Sequence, residues 1–179
     1  MTPSKAVFAL GIVSAFLMFG QAAVAEEGGD MSALVQALGK SKLTLLGGMR
    51  QAAQGNGAVI SAKFELEDGK LSLSVYTAAK GLAVPAEENV LQELSGSPEQ
   101  GKWAPQVEVF KDVPHVARSA EQLTVMALGR RSLAAVVAEV SKAHPGTVFS
   151  ITPAIKNHKP VAVVLIAQKG KVTTVTQPL

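Results

Sequence analysis

The side chains able to do chemistry in this sequence are few and widely spaced. Glu65 and Glu67 stand two apart in an alternating segment, so both carboxylates point to one side of a strand, as paired acid/base groups must. Lys63 on the same side makes a solvated, charge-mixed sheet face the expected reading. The segment Gly96-Ser97-Pro98-Glu99-Gln100-Gly101-Lys102 fits the first seven positions of a phosphate-binding loop, but Trp103 occupies the eighth, where a hydroxyl must reach Mg²⁺. A helix-like segment precedes it where a strand is required, so a plain loop is expected. Gly55-Asn56-Gly57 lacks the third glycine of a dinucleotide fingerprint and reads as a helix stop. His115, His144 and His158 lie 29 and 14 residues apart, each beside a turn residue or proline, so no shared metal site is expected. No G-x-S-x-G occurs, and the absence of cysteine removes thiolate nucleophiles, thiolate metal sites, disulfides and a lipid-modified cysteine. The chain is expected to be no enzyme, with no catalytic residue and no cofactor.

The elements that would carry any site follow a clear order. Lys5 precedes the uncharged run Ala6–Gly20, and Ala23-Val24-Ala25 supplies a small-residue cleavage site, so residues 1–25 read as an export signal and the mature chain should begin at Glu26. That leaves 154 residues of the 179, enough to bury about 70% of the unfolded surface without a metal or disulfide. The net charge of +3 falls to +2 once Lys5 is removed, and the basic residues are scattered, which argues against nucleic acid. No later segment is long and apolar enough to span a bilayer. The expected location is periplasmic or secreted.

Residues 26–42 read as an acidic leader plus a short helix through Met31, Leu34, Val35 and Leu38. Thr44 then caps a helix carrying Leu45, Met49 and Ala52. After Gly57 the period changes to two, with Ile60, Ala62, Phe64 and Leu66 on one face. Asp68-Gly69 is a hairpin turn, and Leu71–Tyr76 returns. The same helix-then-hairpin unit recurs later in the chain. At a shift of 88, Ser132, Leu133, Val137 and Val140 stand for Thr44, Leu45, Met49 and Ala52; at 89, Gly146 to Ile155 stand for Gly57 to Leu66. Asn157-His158 takes the place of Asp68-Gly69, followed by the return strand Val161–Ala167 and a third strand, Val172–Thr176. Between the copies, Glu87–Leu94 has helical spacing, Val107–Phe110 alternates as a displaced third strand, and Ser119 with Gln122 forms a capping box for a helix through Leu123 and Met126.

The first copy, Ala58–Tyr76, closely resembles a PepSY domain, and the second, Gly146–Val175, resembles it more loosely. The resemblance implies a small α+β module, one helix on a three-stranded antiparallel sheet, found in metallopeptidase propeptides and in exported bacterial proteins, with peptidase inhibition as a proposed role. The expected fold is therefore α+β, two such units in tandem: 43–115 with an insertion of about residues 79–105, and 116–179.

One difference between the copies points to a surface. Where the first copy has Ser72, Ser74 and Tyr76 on the outer face of its return strand, the second has Val161, Val163 and Leu165. Three apolar side chains there call for a cover: the insertion or the helix Ala120–Leu128, a partner protein, or a second copy of the chain. The expectation is an exported, non-catalytic binding module for a protein or peptide, a peptidase being the partner the resemblance suggests and a homodimer the other use of the face. The alternative is a small-ligand or metal-sensing periplasmic protein.

Overall fold

The computed structural model describes residues 24–179, with side chains from Met31 onward. The expected export signal lies outside the described residues apart from its last two. Helix α1, Val24–Ala37, runs into a 3-10 turn at Leu38–Lys40, and Leu34 and Leu38 are buried. Helix α2, Leu45–Ala53, starts where the Thr44 hydroxyl accepts from Gly47 N–H at 3.0 Å. Helix α4, Leu133–Ala143, starts in the same way, with Ser132 accepting from Ala135 N–H at 3.2 Å. Each cap satisfies a donor that the first helical turn leaves without a partner. Leu45, Met49 and Ala52 of α2 and their counterparts Leu133, Val137 and Val140 of α4 are all buried.

The described residues also form seven strands: β1 Ala58–Glu67, β2 Lys70–Ala78, β3 Leu91–Gly96, β4 Gln106–Val109, β5 Thr147–Lys156, β6 Lys159–Gln168 and β7 Lys171–Pro178. Between β4 and α4 lies helix α3, Val113–Leu128. The strands form one antiparallel sheet in the order β4-β3-β2-β1-β5-β6-β7. The expected two discrete tandem units are thereby overturned: a single continuous seven-stranded sheet with four helices forms instead. The reason is that β1 and β5, each of which would be an open edge of a separate unit, pair with one another through Ala62–Ile151 and Lys63–Ser150. The Ser61 hydroxyl adds a bond to the Ile151 carbonyl at 3.2 Å across the same joint. Ala62 and Ile151 are equivalent positions of the repeat, so an approximate two-fold axis passes through the sheet between them. It carries α2 onto α4, and the two helices touch. Their face of the sheet is filled by Ala62, Phe64, Leu73, Val75, Ile151, Ala162 and Val164, all buried.

Three local expectations are corrected. Glu87–Leu94 is not a helix: a 3-10 turn at Ala86–Glu88 leads into β3, which is the third strand of the first half. Leu91 and Leu94, three apart, mimic helical spacing because both faces of β3 are covered here, so alternation by polarity is lost. Val107–Phe110 therefore supplies an additional edge strand, β4, and the displaced segment is the loop 79–90. Asn89 ties that loop together, accepting from Lys80 N–H at 3.0 Å and donating to the carbonyls of Gly81 and Val84 at 2.9 and 2.8 Å. Finally, α3 begins at Asp112 and Pro114 rather than at Ser119, so Ser119 and Gln122 are interior, buried positions of a longer helix. Among the described residues no helix is long and apolar enough to cross a membrane.

The two halves share one tight backbone contact. Gly57 (φ +82°) and Gly146 (φ +117°) each enter a sheet strand, and a Cβ would lie 2.2 Å from the Ala78 carbonyl oxygen and 2.5 Å from that of Ala167, respectively. Ala78 and Ala167 are themselves repeat equivalents. Gly57→Ala and Gly146→Ala should each cost about 2–4 kcal/mol, because a strained φ and a clash with backbone combine, and urea unfolding will measure it. The β5–β6 turn holds both Asn157 (φ +50°) and His158 (φ +61°) in the left-handed region. His158→Gly should raise stability by about 1 kcal/mol in the same assay.

Candidate functional site

Helix α3 lies across the sheet face opposite α2 and α4, and between it and the sheet runs a groove of about 550 Å³. The sheet contributes Ser61 and Lys63 from β1, Tyr76 from β2, and Thr152 and Pro153 from β5; the helix contributes Pro114, His115, Arg118, Ser119, Glu121 and Gln122. The sequence places them there through two periodicities. Alternation in β1 and β2 turns Lys63 and Tyr76 away from the α2/α4 core, and one stripe of α3 carries 115, 118, 119 and 122 at steps of three and four. The lower part of that stripe, Leu123 and Met126, is buried and anchors the helix.

One wall is a chain of rings. Tyr76 stacks on Phe110 with centroids 5.9 Å apart, and Phe110 stacks on His115 at 5.1 Å. His115 is oriented by Asp112, whose Oδ1 accepts from the His115 backbone N–H at 3.1 Å and lies 2.7 Å from ring Nδ1. The backbone bond first and the ring contact second hold the Asp112 carboxyl below its ordinary range. The Lys63 ammonium lies 5.9 Å from the Tyr76 ring centroid and pairs with Glu65.

The floor behind Tyr76 is acidic. Glu65 Oε1 accepts from the Ser74 hydroxyl at 2.7 Å. Glu93 stands directly across from Tyr76 on β3 and across from Glu108 on β4. Burial is the main cause that raises the Glu93 carboxyl above its ordinary value, with Glu65 and Glu67 adding to it and Ser74 and Lys63 opposing. Burial, then the charges of Glu93 and Glu65, push the Tyr76 phenol well above its usual value, so it remains an O–H donor throughout the working pH range. Glu65 is thus part of a half-buried polar network, whereas Glu67 is exposed.

Two groups in the groove stand out. Arg118 is exposed and has no ion pair among the described residues. Gln122 is only 8% exposed, yet its Oε1 has no hydrogen-bond partner among the described residues. Neither was legible as a site residue. Gln122 looked like a capping residue, and only the true helix start at Asp112-Val113-Pro114 puts it on a buried stripe.

The other residues singled out from sequence lie apart. Val161, Val163 and Leu165 are half-buried on β6, between β5 and β7; α3 contacts β6, and Leu165 packs on the core. Trp103 is a buried plug whose Nε1 donates to the Gly96 carbonyl at 3.3 Å. His144 ends α4 and His158 sits in the β5–β6 turn, so the three histidines do not converge, and no group of three or more potential metal ligands occurs among the described residues.

The two edges of the sheet are unlike. β4 has four residues, follows Pro105 and carries Glu108, devices that blunt an edge. β7 has eight residues, and from Val172 to Gln177 it carries no charge and no proline. Lysines flank it: Lys171 opens the strand, and Lys156 Nζ donates to Thr176 Oγ1 at 3.3 Å near its other end.

No family model, no curated protein and no solved structure matches the chain.

Glu93→Gln tests the electrostatics of the groove floor. A carboxyl whose folded pKa is raised penalises the fold at neutral pH, and the penalty fades as pH falls through that raised value. The variant should therefore melt higher than the parent at pH 7, and the two should converge below the ordinary carboxylate range.

Proposed function

We propose that this chain is a non-catalytic binding module of the cell envelope that takes an extended segment of a partner protein as an eighth strand along β7. The observation that carries this reading is the edge of β7, which pairs with no further strand among the described residues and whose six-residue stretch Val172–Gln177 lacks the charge, proline or bulge by which sheet edges are protected. The two-residue turn at Lys169-Gly170 makes Gln168–Lys171 a hydrogen-bonded closing pair, so Val172, Thr174 and Thr176 turn their backbone groups outward. Main-chain bonds to those residues would supply affinity, and the flanking lysines favour a segment with acidic ends. The export-signal pattern of residues 1–25 supports the envelope location, and the likeness of Ala58–Tyr76 to a PepSY domain supports a peptidase as the partner.

The test separates the edge from the rest of the fold. Thr174→Pro removes one outward N–H without touching the β6–β7 ladder, where an edge proline is tolerated. Peptides selected from a displayed library against the mature chain should lose at least about tenfold in affinity with Thr174→Pro, while the melting temperature stays within a few degrees. Light scattering distinguishes the remaining occupant. A dimer that Thr174→Pro dissociates would mean that a second copy, not a different protein, covers β7.

A further inference from the structure

The groove under α3 is separate from the β7 edge, and its polar groups are not accounted for by strand addition. We infer that it is a binding site for a small zwitterion of the free amino acid type, a carboxylate and an ammonium on one carbon. The first ground is Gln122. A Leu at that position would complete the buried stripe of α3, whereas the amide is more than nine-tenths buried with an acceptor oxygen that no described residue satisfies. Burying such an atom without a partner is destabilising, and rotation of the amide toward an N–H donor in the groove removes the cost. The second ground is Arg118, one helical turn before Gln122 on the same stripe, whose guanidinium is unpaired among the described residues and lines the same groove. A planar guanidinium takes a carboxylate through two parallel bonds.

The pairing of the two decides the ligand class. Residues four apart on a helix face each other at about 6 Å between Cβ atoms, a span that a carboxylate and an ammonium on one carbon can bridge with both side chains reaching inward. Glu121, also lining the groove, adds an anionic partner for the ammonium. Lys63 is neutralised by its ion pair with Glu65, so Arg118 against Glu121 leaves the lining close to neutral, which suits a zwitterion better than a dianion. A volume of about 550 Å³ accommodates an amino acid with any side chain, and the ring wall of Tyr76 gives that side chain an apolar surface.

The experiment is titration calorimetry of the mature chain with the twenty L-amino acids, acetate, ethylammonium, an N-acetyl amino acid and an amino acid amide. At least one free amino acid should bind saturably at one site, and acetate, ethylammonium and the two blocked forms should bind at least about tenfold more weakly. Gln122→Leu should weaken that binding by about tenfold or more, yet melt at the same or a higher temperature in the absence of ligand. Arg118→Ala, at an exposed position, should weaken it similarly with no change in melting, and this variant decides the matter if Gln122→Leu does not fold. Thr174→Pro should leave amino acid binding intact, so failure of the edge reading and failure of this one are distinguishable. The inference is overturned if no free amino acid binds, if acetate or a blocked form binds as tightly, or if binding survives both groove substitutions.

Discussion

The pairing of β1 with β5 is the constraint on which the rest of the structure depends. Two residue pairs, Ala62–Ile151 and Lys63–Ser150, join the two halves into one sheet. Without them each half would be a helix on a small sheet with an unpaired edge, an arrangement with too little buried surface and a template for aggregation. With them, α2 and α4 meet over a shared core, and a broad second face becomes available on the other side. Because the axis of the repeat runs through this pair, the small Ala62 on one side and the larger Ile151 on the other break the symmetry at the point of closest approach. The two halves are alike in backbone and unlike in what they bury.

That second face is where the halves diverge. On the first half it is polar, with Lys63, Glu65, Ser74, Tyr76 and Glu93 forming a connected, partly desolvated network. On the second half it is apolar, through Val161, Val163 and Leu165. Helix α3 crosses both and contacts β1, β3, β5 and β6. Its buried stripe changes character accordingly, from Ser119 and Gln122 to Leu123 and Met126. A helix that is polar at one end of its buried stripe and apolar at the other is anchored at one end and leaves a groove at the other. Core packing and groove lining are thus divided along one element by a change of residue type within a single turn.

Burial and hydrogen bonding act in opposite directions on the acids of this face. Burial raises both the Glu93 carboxyl and the Tyr76 phenol above their ordinary values, and the phenol stays an O–H donor in the groove throughout the working pH range. Asp112, exposed at the start of α3, is held ionised by the His115 N–H and ring. This cap fixes the ring wall through His115 and Phe110. The same residue therefore starts the helix and shapes the mouth of the groove, which makes the helix start more than a local matter.

The repeat, the helix caps at Thr44 and Ser132, the hairpin turns and the buried faces of α2 and α4 were legible in the sequence because each rests on a local rule. Periodicity, capping side chains and left-handed turn residues act over fewer than about ten residues and do not depend on what lies beyond. The strand at Leu91–Gly96 was not legible, because cover on both faces erased the alternation that marks a half-exposed strand. Whether the two halves stay apart or share a sheet was not legible either. An edge strand carries the same residues whether water or another strand satisfies its backbone, and only the tertiary arrangement decides which. The groove follows from that decision: Gln122 and Arg118 become a site only once one continuous sheet gives α3 a surface wide enough to cross.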